Sequence, residues 1–138
     1  MRGLMLLTFA LISTAAGAEE WVVLRPPPET GTLPAGILVD SSSIEILDTG
    51  IRRARIKIDF LSRRLDTETF GPTAVSYMIF VEAYDCAKQM SAEESFESYQ
   101  IDGSVRSMDT SKSPKWSPVP ENRAADPTCD FVCGWKPK

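Results

Sequence analysis

Apolar and polar residues alternate most cleanly over residues 51–61. Ala54, Ile56, Ile58 and Phe60 fall on one side of an extended chain; Arg53, Arg55, Lys57 and Asp59 fall on the other. A period of two predicts a strand with one buried and one wet face. Over residues 73–86 both alternating sets are apolar. Val75, Tyr77, Ile79, Val81 and Ala83 oppose Ala74, Met78, Phe80 and Tyr84. That pattern predicts a central strand covered on both sides, by a helix or by a second copy on its second face.

Shorter pieces flank these two. Residues 19–24 carry Trp21, Val22, Val23 and Leu24, a short strand that Pro26-Pro27-Pro28 stops. Residues 36–40 and 43–47 read as two strand pieces around a serine turn, Ser41-Ser42-Ser43. Asp48-Thr49-Gly50 is a turn signal. Residues 88–101 are polar, anchored by Met90, Phe96, Tyr99 and Ile101; part of the stretch reads as an edge strand, with a helix opening at Ser91-Ala92-Glu93-Glu94 as the alternative. Asp102-Gly103 turns the chain so that residues 104–108 return as a hairpin. Residues 111–120 form a proline-rich loop around Trp116. A helix is expected to begin within residues 121–126, and Pro127 would kink it or restart it at its first turn. Short strands followed by a late helix predict an α+β fold. The expected architecture is an antiparallel sheet of about five to six strands packed against a C-terminal helix; a pure β-sandwich is the alternative.

The N-terminus changes the compartment. Met1-Arg2-Gly3 precedes an apolar run over residues 4–12, and small residues end at Ala16 and Ala18. These are the three parts of a secretory signal, expected over residues 1–18, with one domain over residues 19–138. The run is about half of what a bilayer-spanning helix needs, and no second long apolar run follows. The chain of 138 residues holds 43% hydrophobic and 25% charged residues, ordinary globular usage. Its 15 Lys and Arg against 19 Asp and Glu leave a net charge of -4, which argues against a nucleic-acid partner. The sequence contains 0 His, which excludes a Ser/His/Asp triad, a Cys/His dyad and His-ligated zinc together.

Export places Cys86, Cys129 and Cys133 in an oxidising environment, where one internal bridge can form. A zinc site would lack its fourth ligand. Joining Cys86 to Cys133 closes a loop of about 48 residues and stabilises by roughly 4 kcal/mol in the chain-entropy model; Cys86 with Cys129 is equally good. Cys129 with Cys133 closes about five residues, worth roughly 2 kcal/mol, and bridges poorly if both share a helical turn. The expected role is structural, since no CxxC spacing points to redox catalysis.

Several landmarks arrive in a recognisable order: Trp21-Val22-Val23; Val39-Asp40 with Ser43-Ile44; Tyr84-Asp85-Cys86-Ala87-Lys88; Tyr99 with Gly103; Trp116-Ser117-Pro118-Val119-Pro120; and Val132-Cys133. In this the chain resembles the surface-adhesin protein E family of small exported Gram-negative bacterial proteins. The resemblance implies an antiparallel sheet under a C-terminal helix, a Cys86–Cys133 disulfide and frequent dimers. It also implies a periplasmic or cell-surface location, and a non-enzymatic protein that binds matrix, serum or envelope proteins. The chain departs from the family in lacking a lipid-anchor cysteine, in Pro127 and in the additional Cys129.

The distinctive charge feature is basic. Arg52, Arg53, Arg55, Lys57, Arg63 and Arg64 stand against Asp59 alone within residues 52–64. On a strand, Arg53, Arg55 and Lys57 point the same way about 7 Å apart, a candidate row for binding an acidic partner. The competing reading is a solvated face paired with acids such as Glu93, Glu94 or Glu97. Glu82 and Asp85, near the central strand, are the carboxylates whose pKa burial would shift. No residue pattern points to a catalytic group, a metal or a cofactor. The sequence therefore predicts an exported interaction module, with a periplasmic small-ligand carrier or envelope-stress protein as the alternative and a carboxylate hydrolase as the third reading.

Overall fold

The computed structural model describes residues 18–31, 34–47, 49–122, 124 and 126–138. Apart from Ala18, the expected secretory signal lies outside the described residues.

The alternating segments become the strands of one antiparallel sheet. They are β1 (Trp21–Arg25), β2 (Gly36–Ile46), β3 (Ile51–Asp59), β4 (Val75–Asp85), β5 (Met90–Gln100) and β6 (Val105–Thr110). Their order across the sheet is their order in the chain, and the two-residue strand β7 (Ser117–Pro118) pairs with the start of β5. Each of β2 to β6 pairs antiparallel with its predecessor, and the alternation of buried and exposed residues fixes the register. Gly103, with φ of 86°, takes the left-handed turn position between β5 and β6.

Period-two packing sends one set of side chains to the core. Ile37, Val39, Ile44, Ala54, Ile56 and Tyr84 meet Val119 and, from above, Cys129 and Val132. The last two belong to α3 (Thr128–Gly134), which crosses β2, β3 and β4. Seven residues make only two turns, too short to be stable alone. Three tethers hold α3 down. Val132 is 0% exposed. Arg52 donates from Nη1 to the carbonyls of Val132 and Trp135, so a cation satisfies the helix's last acceptors. Cys86 is bonded to Cys133, with Cα atoms 5.7 Å apart. Cys129, outside the bridge, is fully buried, its Sγ 3.9 Å from that of Cys133.

The structure differs from the sequence pattern in five places. The serine turn is no turn: β2 runs unbroken through it as a bulge, with a register shift between Asp40 and Glu45. Side chains replace the lost ladder bonds there. The Ser42 hydroxyl donates to Asp40 at 2.6 Å, and the Arg55 amide donates to the Ser43 hydroxyl at 2.8 Å. β3 ends at Asp59, short of Phe60, and the chain then forms α1 (Leu61–Leu65) and α2 (Thr67–Phe70). The Asp66 side chain caps α2 by accepting from the Thr69 amide at 3.2 Å. β5 is not an edge: it lies between β4 on one side and β6 with β7 on the other. Among the described residues the late helix is the restart at Pro127 that the sequence allowed for, not a helix begun within residues 121–126. Finally, α3 covers one face of β4 only.

Candidate interaction face

The second face of the sheet follows from the register. Directly paired residues share a face, and three rows run across the strands on the side away from α3. One is Val23, Leu38, Lys57, Ile79, Glu97 and Met108. A second is Trp21, Asp40, Arg55, Val81, Ser95 and Thr110. A third joins Asp59, Tyr77, Tyr99 and Val105. In place of a helix, the long side chains of the neighbouring strands lie over the apolar residues of β4. Tyr77, Ile79 and Val81 are thereby half-buried, while Val23 and Met108 at the two margins are 53% and 64% exposed.

The three cations of the predicted row lie on this face in two different states. Arg53 donates from Nε to both oxygens of Glu94, at 3.0 and 2.8 Å, and pairs with Glu45 at 3.3 Å. The bulge in β4–β5 pairing between Val81 and Glu82 turns Glu94 toward it. Arg55 pairs with Glu19 at 2.8 Å and with Asp40 at 3.4 Å. Asp40 is 2% exposed. Burial opposes its charge, but the Ser42 hydroxyl, the amides of Glu20 and Ser42, and the Arg55 guanidinium hold its carboxyl below the usual range. Both arginines therefore have their charge answered within the sheet.

Lys57 does not. Its Nζ lies 5.2 Å from the Trp21 ring centroid and 4.6 Å from that of Tyr77, with no carboxylate among the described residues in ion-pair reach. The rings stabilise the ammonium through their quadrupoles without neutralising it. Tyr77 stacks on Tyr99 at 4.6 Å, and the Tyr99 hydroxyl donates to Glu97, which pushes its own pKa up to about 12. The result is a partly apolar aromatic strip with one unanswered positive charge.

No family model matches the chain, and no curated protein matches it significantly in sequence. The fold does find a counterpart. Crystal form II of Haemophilus influenzae protein E superposes with a TM-score of 0.50 at 14% identity, covering 82% of this chain and 96% of that one. This chain shares the fold of protein E. A second structure of Haemophilus influenzae protein E gives a TM-score of 0.45 at 12% identity, over 85% of this chain and 98% of the other. The likeness to protein E concerns architecture: a sheet in chain order under a short late helix.

Other sequence candidates fall elsewhere. Glu82 projects from the helix-covered face of β4, where burial raises its pKa. Asp85 accepts from the Lys88 amide at 3.1 Å and closes the β4–β5 turn. Of the tryptophans, Trp135 packs on the core, Trp21 underlies Lys57, and Trp116 is 38% exposed. Among the described residues no helix is long and apolar enough to cross a membrane, and no group of three His, Cys, Asp or Glu is placed to hold a metal ion. The sequence singled out the cations but missed the aromatic setting of Lys57, because Trp21, Lys57 and Tyr77 lie on three different strands.

Proposed function

We propose that the chain is an exported, non-enzymatic binding protein of a Gram-negative bacterium that engages an envelope or extracellular-matrix protein through its open sheet face. Lys57 is the charged contact in this reading, and Val23, Leu38, Trp21, Tyr77 and Met108 supply apolar area. The observation that carries it is Lys57: a cation held on aromatic rings, with no ion pair among the described residues, beside exposed apolar side chains. A partner carboxylate reaching it would be partly desolvated and would interact more strongly than at an ordinary surface. Arg53 and Arg55 serve the sheet itself, joining β3 to β2, β5 and the residues before β1. The protein E fold, the disulfide and the secretory N-terminus support an oxidising, extracytoplasmic location. The absence of His from the sequence supports a role in binding over chemistry.

Photo-cross-linking in the intact envelope tests this, with a reactive side chain at position 23 or 108 and a control at Lys112. Adducts from positions 23 and 108 that disappear in Lys57→Glu support the reading. The same adducts in Lys57→Glu, or adducts from Lys112 alone, would reject it. An adduct of twice the chain's mass assigns the face to a second copy instead.

A further inference from the structure

The helix-covered face holds a second feature, independent of the open one. Because α3 is short, it leaves part of β2–β5 uncovered beside its first turn. A cavity of about 350 Å³ opens there. Its floor is apolar: Ile37, Ile56, Ile58 and Phe80. Its wall is acidic. Glu82 and Glu93 are direct cross-strand partners on β4 and β5, and Asp126 stands with them at the entry to α3. None of the three has an ion pair among the described residues. Like charges directly opposed across a ladder are destabilising, which favours a proton or a cation on the Glu82–Glu93 pair. Among the described residues Arg25 is the one cation lining the cavity, and its Nε donates to the Ala35 carbonyl; Glu82 is shifted by burial first, with Tyr84, Asp126 and Glu93 acting on it as well.

Proton counting sharpens the picture. Four oxygens form a chain: Glu82 to Tyr84 at 2.6 Å, Tyr84 to Thr128 at 2.9 Å, and Thr128 to Asp126 at 2.6 Å. Three contacts need three protons, and the two hydroxyls supply two. Asp126 also accepts from the Thr128 amide at 3.1 Å. Burial pushes the Glu82 carboxyl up, toward the protonated form that would supply the third proton. An arriving cation would take the place of that proton.

The geometry points to a binding site for a small organic ammonium with an apolar body, its charge on Glu82 and Glu93 and its body on Phe80, Ile56 and Ile58. A cavity of this size lies at the small end of ligand pockets. The apolar floor favours the body, and the carboxylate wall rejects anions. Binding releases the Glu82 proton to solvent; burial, with the nearby Asp109 charge, also raises the Glu93 carboxyl that faces it.

The experiment is calorimetric titration of the full exported protein near pH 6 with 2-phenylethylammonium, 2-phenylethanol and 3-phenylpropanoate, repeated in buffers of different ionisation enthalpy. The expected result is binding of the ammonium at least about tenfold tighter than the alcohol, no binding of the carboxylate, and release of a proton. Glu82→Gln should abolish the proton release, and Phe80→Ala should weaken binding with the release retained. Should Glu82→Gln fail to fold, Glu93→Gln must weaken the ammonium about tenfold on its own. Equal affinity for alcohol and ammonium, preference for the carboxylate, or no ammonium binding at about 10 mM would overturn the site.

Discussion

The two faces of the sheet solve one problem in different ways. β4 is apolar on both sides, and each side must be shielded from water. On one side a helix does it, riveted by the Cys86–Cys133 bond and by Arg52. On the other, Lys57 lies over the Trp21 and Tyr77 rings, Arg55 lies over Trp21, and Tyr99 stacks on Tyr77. The first cover is a disulfide-bonded helix; the second is a layer of side chains from the neighbouring strands. In the proposed reading, stability rests on the first face and partner contact on the second.

The largest effect should come from removing the rivet. Cys86→Ser releases the constraint between two residues 47 positions apart and should cost about 4 kcal/mol. Urea melts read by Trp fluorescence check this, and the Cys129 thiol should become reactive to thiol reagents. A loss below about 1 kcal/mol would mean that α3 holds without its bridge.

Adjacent residues of β3 give a sharper contrast. Ile56, 3% exposed, faces the helix, whereas Lys57 faces outward between two rings. Ile56→Ala should cost about 2–5 kcal/mol, and Lys57→Ala less than about 1 kcal/mol. Comparable losses in denaturant melts would show that the open face is also structural. Gly36 tests the join between β2 and the proline run, since an added Cβ would lie 2.7 Å from Pro27. Gly36→Ala should cost about 1–3 kcal/mol by overpacking, again by denaturant melt.

The smallest effects are those of pH, and they have opposite signs on the two faces. Asp40, on the open face, has a lowered pKa, so its contribution is present above the ordinary carboxylate range and lost as pH falls through and below it. Glu82, on the helix face, has a raised pKa. The fold therefore favours its protonated form and loses stability as pH rises from that range through the higher folded value. Asp40→Asn should flatten the acid limb of a stability profile and Glu82→Gln the alkaline one. A profile that Glu82→Gln leaves unchanged would refute its protonation.

The alternation over β3 and the doubled apolar pattern of β4 were legible because each residue reports its own face. What depends on distant partners was not. Two helices of five and four residues are too brief to show a period. β5 reads as an edge because Glu93, Glu94 and Glu97 are polar, yet Glu94 is there to answer Arg53 from across β4. Nor could composition separate Lys57 from Arg53 and Arg55, since their charges are answered by residues up to 41 positions away. The disulfide pairing came from family resemblance, because loop arithmetic left Cys129 and Cys133 equal.

Hydroxyl-radical footprinting of the protein, in intact cell envelopes and after purification, tests the proposed division of labour most directly. Trp21, Tyr77, Tyr99 and Met108 should be less oxidised in the envelope than in the purified protein, with Met90 and Trp116 unchanged. Equal oxidation of the first four residues in both settings would contradict the open face as the place of contact.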